Sequence, residues 1–348
     1  MTEIQIDQFI PQVVHEGVLQ IREDDAIRCF TCAHRCLLRE QKLGVCGTRL
    51  NIGNSVKTLV YGNVSSISNN PIEKKPFFHF APGTSALTVG SWGCNASCPF
   101  CQNFDISKQK PTPELARYVS PEQFINMAQA RGSEGVSISF SEAATLMLEW
   151  NLEVFKLARE GGLYNTIVTN GYMTKEALEL MIDAGLDAAN VDVKGCEPQV
   201  RQICGIALQP VLDNIIHMID RGVHVELTTL VVPELSDDVE CLETIARWIV
   251  DSTGPKTPWH LNRYYPSYKY TEPMTSLEVL VQAREKAKTI GLEFVYIGNV
   301  GRKGLEDTLC PVCGTLCYER LRLFSRNVAT DANGKCQKCG YDIKIRNR

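Results

Sequence analysis

The most constraining feature of the chain is a short loop that contains three cysteines. Cys94, Cys98 and Cys101 form a C-x3-C-x2-C pattern directly after the apolar stretch 86–92. An iron–sulfur cube and a tetrahedral zinc ion each require four ligands, so three thiolates leave one position open. The pattern indicates either a cluster with one open iron or a zinc knuckle whose fourth ligand lies elsewhere. The end of a strand is where α/β barrels assemble active sites, which favours the cluster.

The composition is that of a soluble globular protein. The 348 residues carry a formal net charge of −4, with 44% hydrophobic and 22% charged residues. This balance gives no indication of a membrane or nucleic-acid partner. The N-terminal residues lack the basic and apolar regions of a signal peptide, and no apolar run of about eighteen residues follows. We therefore expect a cytoplasmic protein whose 15 cysteines are not joined in disulfides.

A second group of cysteines lies near the N-terminus. Its members are Cys29, Cys32, Cys36 and Cys46. The spacing predicts a closed four-thiolate site that suits zinc or a second iron–sulfur cluster, because it fixes soft ligands without selecting the metal. His34 is an alternative ligand for one of the four positions.

A third group lies near the C-terminus, in two C-x2-C-G knuckles. Its members are Cys310, Cys313, Cys336 and Cys339. Paired knuckles are typical of a zinc ribbon. A segment this short does not bury a sufficient core, so we expect metal to hold its fold together. We expect Cys317 to pack nearby rather than to bind the metal, and we expect the barrel to survive removal of residues 308–348.

Between the cysteine groups, apolar β-branched runs alternate with amphipathic stretches, which is typical of βα units and a parallel sheet. The predicted strands are 86–92, 135–141, 164–170, 188–194, 224–232, 258–264 and 293–299. Right-handed crossovers curl such a sheet into a barrel or partial barrel. The predicted fold is thus an α/β partial (βα) barrel at 86–307. A small Cys-rich extension occupies 1–85 and a zinc-ribbon-like module occupies 308–348.

Polar residues cluster at the predicted C-terminal strand ends, which face the same barrel mouth as the cysteine loop. They are Glu142, Thr169, Asn170, Asp192, Lys194 and His260. Thr169 and Asn170 offer a hydroxyl and an amide to a ribose or a carboxylate, although Asn-Gly is also an ordinary turn.

The charged members of this set admit a binding role and a structural role. Glu142 is suited to bind a cationic amino group, or alternatively to favour a helix N-terminus. Asp192 and Lys194 alternate along one strand face and point into the barrel together, where each requires a partner to offset desolvation. A structural ion pair is the alternative for these two. His260 is predicted either to contact a ligand or to be a hydrogen-bonded core histidine.

The chain resembles the AmmeMemoRadiSam-system radical S-adenosylmethionine (SAM) enzymes, relatives of the pyruvate formate-lyase activating enzymes. The resemblance covers nearly the whole length. It rests on the three cysteine groups and on YGNVSS at 61–66, PIEKKP at 71–76, VTNG at 168–171, NVDVK at 190–194 and TPWH at 257–260.

The resemblance implies a [4Fe-4S] cluster on Cys94, Cys98 and Cys101, with SAM on the open iron. It also implies the candidate SAM-site residues Phe100, Glu142, Thr169, Asn170, Asp192, Lys194 and His260. The implied reaction is reductive cleavage of SAM to a 5′-deoxyadenosyl radical, which abstracts hydrogen from a substrate. Its electron would come from a low-potential donor of the ferredoxin or flavodoxin type.

The substrate is the least constrained part of the prediction. The activating-enzyme relatives favour a protein substrate, for example one that acquires a glycyl radical. One alternative is radical modification of RNA or another macromolecule delivered by the zinc ribbon. Another is a non-enzymatic iron–sulfur electron carrier or scaffold, which has no need of SAM.

Overall fold

Six short strands precede the central sheet in the computed structural model, which describes residues 6–321 and 324–347. They are β1 (His15–Glu16), β2 (Gln20–Glu23), β3 (Ala26–Cys29), β4 (Leu37–Arg39), β5 (Arg49–Ile52) and β6 (Ser55–Thr58). They form two antiparallel sheets, in the orders β1-β6-β5 and β2-β3-β4. The first five residues of the N-terminal segment considered above lie outside the described part of the chain.

The central sheet has eight strands. They are β7 (Ser66–Pro71), β8 (Ser85–Gly90), β9 (Gly135–Ile138), β10 (Tyr164–Thr169), β11 (Ala188–Asp192), β12 (His224–Val231), β13 (Trp259–Arg263) and β14 (Val295–Gly298). The strands β8 to β14 are parallel and follow one another in chain order. Each corresponds to one predicted strand. The edge strand β7 pairs antiparallel with β8 and was not predicted.

The helices connect these strands. They are α1 (Phe104–Ser107), α2 (Pro121–Ala130), α3 (Ala143–Leu146), α4 (Leu148–Glu160), α5 (Lys175–Ala184), α6 (Leu208–Asp220), α7 (Val239–Thr253) and α8 (Leu277–Ile290). Several begin at a capping side chain that satisfies a free backbone N–H. At α2 the Ser120 hydroxyl accepts from the backbone of Gln123, whose side chain accepts in turn from the Ser120 backbone. This reciprocal pair is a capping box.

The parallel strands curl so that their C-terminal ends surround one cavity. Residues at the ends of β9, β10, β11, β12 and β13 all line it, together with the loop that follows β8. The sheet does not close, because β7 and β14 form its two edges. The chain is therefore a partial (βα) barrel, as predicted.

The C-terminal segment packs directly against the barrel. Its strands are β15 (Thr308–Leu309), β16 (Leu316–Leu321) and β17 (Phe324–Asn327), which form an antiparallel sheet. Phe294 and Tyr296 of the barrel share a buried cluster with Tyr318 and Ile343 of this segment. The two parts share one buried apolar cluster, which counts against the expectation that the barrel survives removal of residues 308–348; that expectation stays a prediction.

Arg320 connects this segment to the barrel and gives a test of the shared core. Its side chain, on a residue only 1% exposed, donates to the Thr308 hydroxyl at 2.7 Å and to the Phe78 carbonyl at 2.6 Å. Arg320→Ala leaves that carbonyl unpaired, and we expect it to lower the free energy of unfolding by roughly 2–3 kcal/mol. Chemical denaturation measures this change. The exposed Arg326→Ala is the control, and equal stability of the two variants would show that the contact is dispensable.

The expectation of no disulfides is also wrong. Cys196, in the loop after β11, is bonded to Cys241, in the first turn of α7. Their Cα atoms lie 5.8 Å apart, within the range of disulfide geometry. Their sequence separation of 45 leaves no local spacing pattern from which the pairing could be read. Separately, none of the helices in the described residues is long and apolar enough to cross a membrane.

Candidate active site

A cavity of about 310 Å³ opens at the C-terminal ends of the barrel strands. This volume lies within the range of small-molecule sites, ~300–1,000 Å³. Cys94, Cys98 and Cys101 line it on one side, and polar residues of the strand ends line it on the other. The three thiols and all the predicted SAM-site residues except His260 thus line the same cavity.

The cysteine loop is held in place by its neighbours. Gly93 has φ +82, and a Cβ at this position would come within 2.6 Å of the Thr48 side chain, so glycine is required there. The backbone N–H of Ser97 donates to the Cys204 carbonyl at 2.8 Å. The Cys101 sulfur lies 3.1 Å from the Ser107 hydroxyl. These contacts fix the direction in which the thiols point.

The thiols have unequal proton affinities before any metal binds. Burial, assisted by the nearby Glu142 carboxylate, raises the pKa of Cys94 to about 12. A hydrogen bond from the Cys204 thiol lowers the pKa of Cys98, and the Lys194 ammonium adds to this effect against the opposing effect of burial. Because only thiolates bind metal, loading of this site must release protons.

Glu142 sits at the inner wall of the cavity and is only 1% exposed. Phe140 and Ser141 both have positive φ, which turns the chain sharply after β9 and brings the carboxylate inward. Its Oε1 accepts from the Thr169 hydroxyl at 2.5 Å, and its Oε2 accepts from the Asn170 N–H at 2.9 Å. Burial raises the pKa of Glu142, whereas these hydrogen bonds oppose the shift. The residue holds β9 and β10 together and still presents a carboxylate to the cavity.

Asn170 joins this wall to the cysteine loop. Its amide nitrogen donates to the Asn95 side-chain oxygen at 2.7 Å and lies 3.9 Å from the Cys94 sulfur. Thr169 also lines the cavity, although its hydroxyl is engaged with Glu142. The two residues therefore position the loop and the carboxylate in addition to facing the cavity.

Asp192 and Lys194 form an ion pair at the cavity wall. The Lys194 ammonium lies 2.8 Å from the Asp192 carboxylate, and the two side chains are 17% and 34% exposed, respectively. Burial alone would lower the pKa of Lys194, but Asp192 and the thiols of Cys98 and Cys204 raise it well above its usual range. The lysine therefore keeps its positive charge beside the cysteine loop.

Phe100 lines the same cavity as Asp192 and Lys194, whereas His260 does not. Phe100 is 4% exposed, lines the cavity and packs edge-on against Tyr270. His260 is the second residue of β13, one layer below Asn262, and its Nε2 lies 2.8 Å from the buried Glu226 carboxylate. It lines a neighbouring cavity that shares Asn262 with the first. Of the two roles predicted for His260, this position fits that of a hydrogen-bonded core histidine.

The contact with Glu226 accounts for the buried position of His260. Its carboxylate is 0% exposed and accepts from the backbone N–H groups of Phe78 and His79, and it lies 3.1 Å from the His224 ring. Burial would raise the pKa of Glu226, but the hydrogen bonds from His224 and His260 lower it well below its usual range. This network fills the barrel interior away from the cysteines.

Three residues in or beside the site were not predicted. Lys108 lines the cavity and donates to the Ala96 carbonyl at 2.9 Å. Lys75 is buried 4.3 Å over the Phe140 ring, and burial lowers its pKa to about 7. Cys204 is fully buried beside Cys98. No spacing pattern relates Lys108 or Cys204 to the loop, whereas the PIEKKP motif did contain Lys75.

The C-terminal cysteines form a compact group. The sulfurs of Cys310, Cys313, Cys336 and Cys339 all lie within 4.8 Å of one another. The Cys310 and Cys339 sulfurs are 3.5 Å apart. Tetrahedral zinc with Zn–S bonds of about 2.3 Å separates its sulfurs by about 3.8 Å. The group has the size of a site for one metal ion.

The N-terminal cysteines surround a separate small cavity, which they line together with Arg49. His34 does not line this cavity, and its Nε2 lies 2.7 Å from the Asn95 carbonyl oxygen. The histidine thereby ties the N-terminal cysteines to the loop of Cys94.

Comparison with known proteins identifies the domain around this site. Residues 90–249 match the radical SAM superfamily model. "Uncharacterized protein MJ0808" of Methanocaldococcus jannaschii is 37% identical over 326 residues, which is 93% of this chain and 96% of that protein.

Two further proteins are similar over shorter spans. "Putative glycyl-radical enzyme activating enzyme MJ1227" of the same organism is 27% identical over 233 residues, 65% of this chain and 92% of that protein. A domain of a pyruvate-formate lyase-activating enzyme from Bacteroides vulgatus aligns with a TM-score of 0.42 at 17% identity, over 48% of this chain and 100% of that domain. The superfamily match spans the cysteine loop, Glu142 and Lys194 together, and the chain therefore belongs to the radical SAM superfamily.

Proposed function

We propose that the chain is a radical SAM enzyme of the AmmeMemoRadiSam type, which cleaves SAM reductively and abstracts hydrogen from a protein substrate. The observation that carries this proposal is the single cavity lined by Cys94, Cys98, Cys101, Glu142 and Lys194. Three thiols supply an incomplete ligand set for a [4Fe-4S] cluster, and the cavity beside them offers charges of both signs.

The residues present fit SAM and a cluster. The three sulfurs do not form a compact group of the kind found at the C-terminus, although all three residues are described. A site for a polynuclear cluster needs this wider spacing, since four irons separate their ligands more than one ion does. When bound, the cluster and SAM supply the one-electron chemistry that produces a hydrogen-abstracting radical.

The chain's own residues would bind SAM, orient it and exclude water from the cavity. Glu142 would accept hydrogen bonds from the ammonium of SAM, in a partly desolvated place where such contacts are stronger than at a surface. The Lys194–Asp192 pair would hold the ligand's carboxylate and hydroxyl groups on the opposite wall. Phe100 closes the apolar side of the cavity beside the cysteine loop.

A protein substrate is supported by the name of one relative. The 27%-identical protein that the chain covers over 92% of its length is named as an activating enzyme for a glycyl-radical enzyme. We further propose that a donor of the ferredoxin or flavodoxin type supplies the electron, that zinc occupies the C-terminal cysteines, and that the reaction takes place in the cytoplasm. The compact spacing of those four sulfurs supports the choice of zinc.

Anaerobic incubation with SAM tests the reaction. We expect the reduced protein to release 5′-deoxyadenosine and methionine in equal amounts, and SAM to change the electron paramagnetic resonance (EPR) spectrum of the reduced cluster. An electron carrier would show neither effect, so an unchanged spectrum without product would contradict the proposal.

The substrate class is tested by a second measurement on the same assay. Fractionated cell extract is added, and the fraction that accelerates 5′-deoxyadenosine release is treated with protease or with ribonuclease. We expect protease alone to remove the acceleration. Loss of acceleration after ribonuclease would instead identify an RNA substrate.

A further inference from the structure

We infer that Cys29, Cys32, Cys36 and Cys46 bind a second iron–sulfur cluster rather than a zinc ion. The four residues lie outside the matched superfamily domain, in and between the N-terminal strands β3, β4 and β5. All four line one small cavity in the described part of the chain.

The spacing of the sulfurs separates this site from the C-terminal one. Among the described residues, Cys310, Cys313, Cys336 and Cys339 form the only group of three or more potential metal ligands whose ligand atoms all lie within 4.8 Å of one another. The four N-terminal cysteines are all described and do not form such a group. In this respect they match Cys94, Cys98 and Cys101. The chain thus contains one set of thiols at the spacing of a single ion and two sets at a wider spacing.

Arg49 provides a second, independent observation. The residue is 1% exposed and lines the cavity of the four thiols. Its two terminal nitrogens donate to the Glu149 carboxylate at 2.7 and 2.9 Å, but its buried Nε has no hydrogen-bond partner among the described residues. Buried donors are rarely left unpaired. A sulfide or thiolate sulfur of a bound anionic cluster would accept this N–H.

Charge supports the same ligand. The Arg49 guanidinium forms a buried ion pair with the Glu149 carboxylate at 2.7 Å, and a guanidinium stays protonated in proteins. The arginine therefore remains charged beside the thiols. A buried cation of this kind stabilises the negative charge of a cluster held by four thiolates.

The site lies directly against the active-site loop. A Cβ on Gly93 would come 2.8 Å from the Cys46 carbonyl, and the His34 ring contacts the Asn95 carbonyl. This position suits a centre that passes one electron from a low-potential donor protein to the active site, with no bond made and no proton moved. That role rests on the proposed function, whereas the presence of the cluster does not.

Metal analysis of a variant without the active-site thiols tests the inference. Cys94, Cys98 and Cys101 are all replaced with alanine, and the anaerobically purified chain is analysed for iron, zinc and EPR signal after reduction. We expect about four irons and about one zinc per chain to remain. SAM cleavage is not used as a readout, so failure of the proposed function cannot affect the result.

Matched variants assign the remaining iron. In the same background, Cys36→Ala should remove the iron, whereas Cys317→Ala, at a thiol outside the site, should keep it. If the triple variant does not fold, Cys36→Ala in the otherwise unchanged chain should lower the iron content from about eight to about four per chain. A folded triple variant without iron, with or without additional zinc, overturns the inference, as does equal iron in the two matched variants.

Discussion

Simultaneous replacement of Cys94, Cys98 and Cys101 with alanine is expected to abolish SAM cleavage, with 5′-deoxyadenosine falling below detection. The three thiols are the ligands that face the cavity, and no other described cysteine lines it. Without them the chain lacks the centre that transfers the electron. Chromatography of anaerobic reactions containing reductant and SAM measures the loss.

The fold should survive this change. Cys98 belongs to the large buried cluster, with Cys94 and Cys101 packed at its side, but the barrel is held by strands and helices that do not depend on the loop. We expect an unchanged circular dichroism spectrum. Cys317→Ala is the control, because it removes a buried thiol without touching the cavity. SAM cleavage that persists in the folded triple variant would refute the proposed function.

The parallel strands could be predicted because each is a buried, β-branched run between helices. The residues Gly135–Ile138 and Ala188–Ala189, for example, are buried completely or almost completely, and buried strands of parallel sheets read as continuous apolar segments. The edge strand β7 has the sequence SISNNP, whose polar residues and proline give no such signal. Its place depends on tertiary pairing with β8.

The site residues that could be predicted are likewise those that belong to recognisable strands. Glu142, Asp192 and Lys194 could be placed at the cavity because they end predicted strands. His260 was grouped with the strand-end residues although it is only the second residue of β13, whose observed bounds differ by one residue from the predicted 258–264 at each end. Cys204 ends a five-residue π-helix (Val200–Cys204) and Lys108 lies in a loop, and no periodicity of the sequence relates either residue to the three cysteines. The partnership of Cys196 with Cys241 is hidden for the same reason.

Glu142→Gln and Lys194→Met are each expected to weaken SAM binding by at least about tenfold while leaving the iron content unchanged. Removal of one partner of a buried charged contact typically costs about 2–5 kcal/mol. Glu142 is 1% exposed, and the Lys194 side chain is 17% exposed, so solvent screens neither contact strongly. Isothermal titration of the cluster-loaded protein with SAM under anaerobic conditions measures both affinities.

The two variants also distinguish binding from structural roles. Glu142 accepts hydrogen bonds from Thr169 and from the Asn170 backbone, so a purely structural role predicts lower thermal stability with normal SAM affinity. Lys194 pairs with Asp192, and loss of that pair alone would likewise leave SAM affinity unchanged. Exposed residues of α4 supply controls of matched chemistry, Glu160→Gln and Lys156→Met, which should bind SAM normally. If both cavity variants bind SAM as tightly as these controls, Glu142 and Lys194 stabilise the barrel mouth and take no part in holding the ligand.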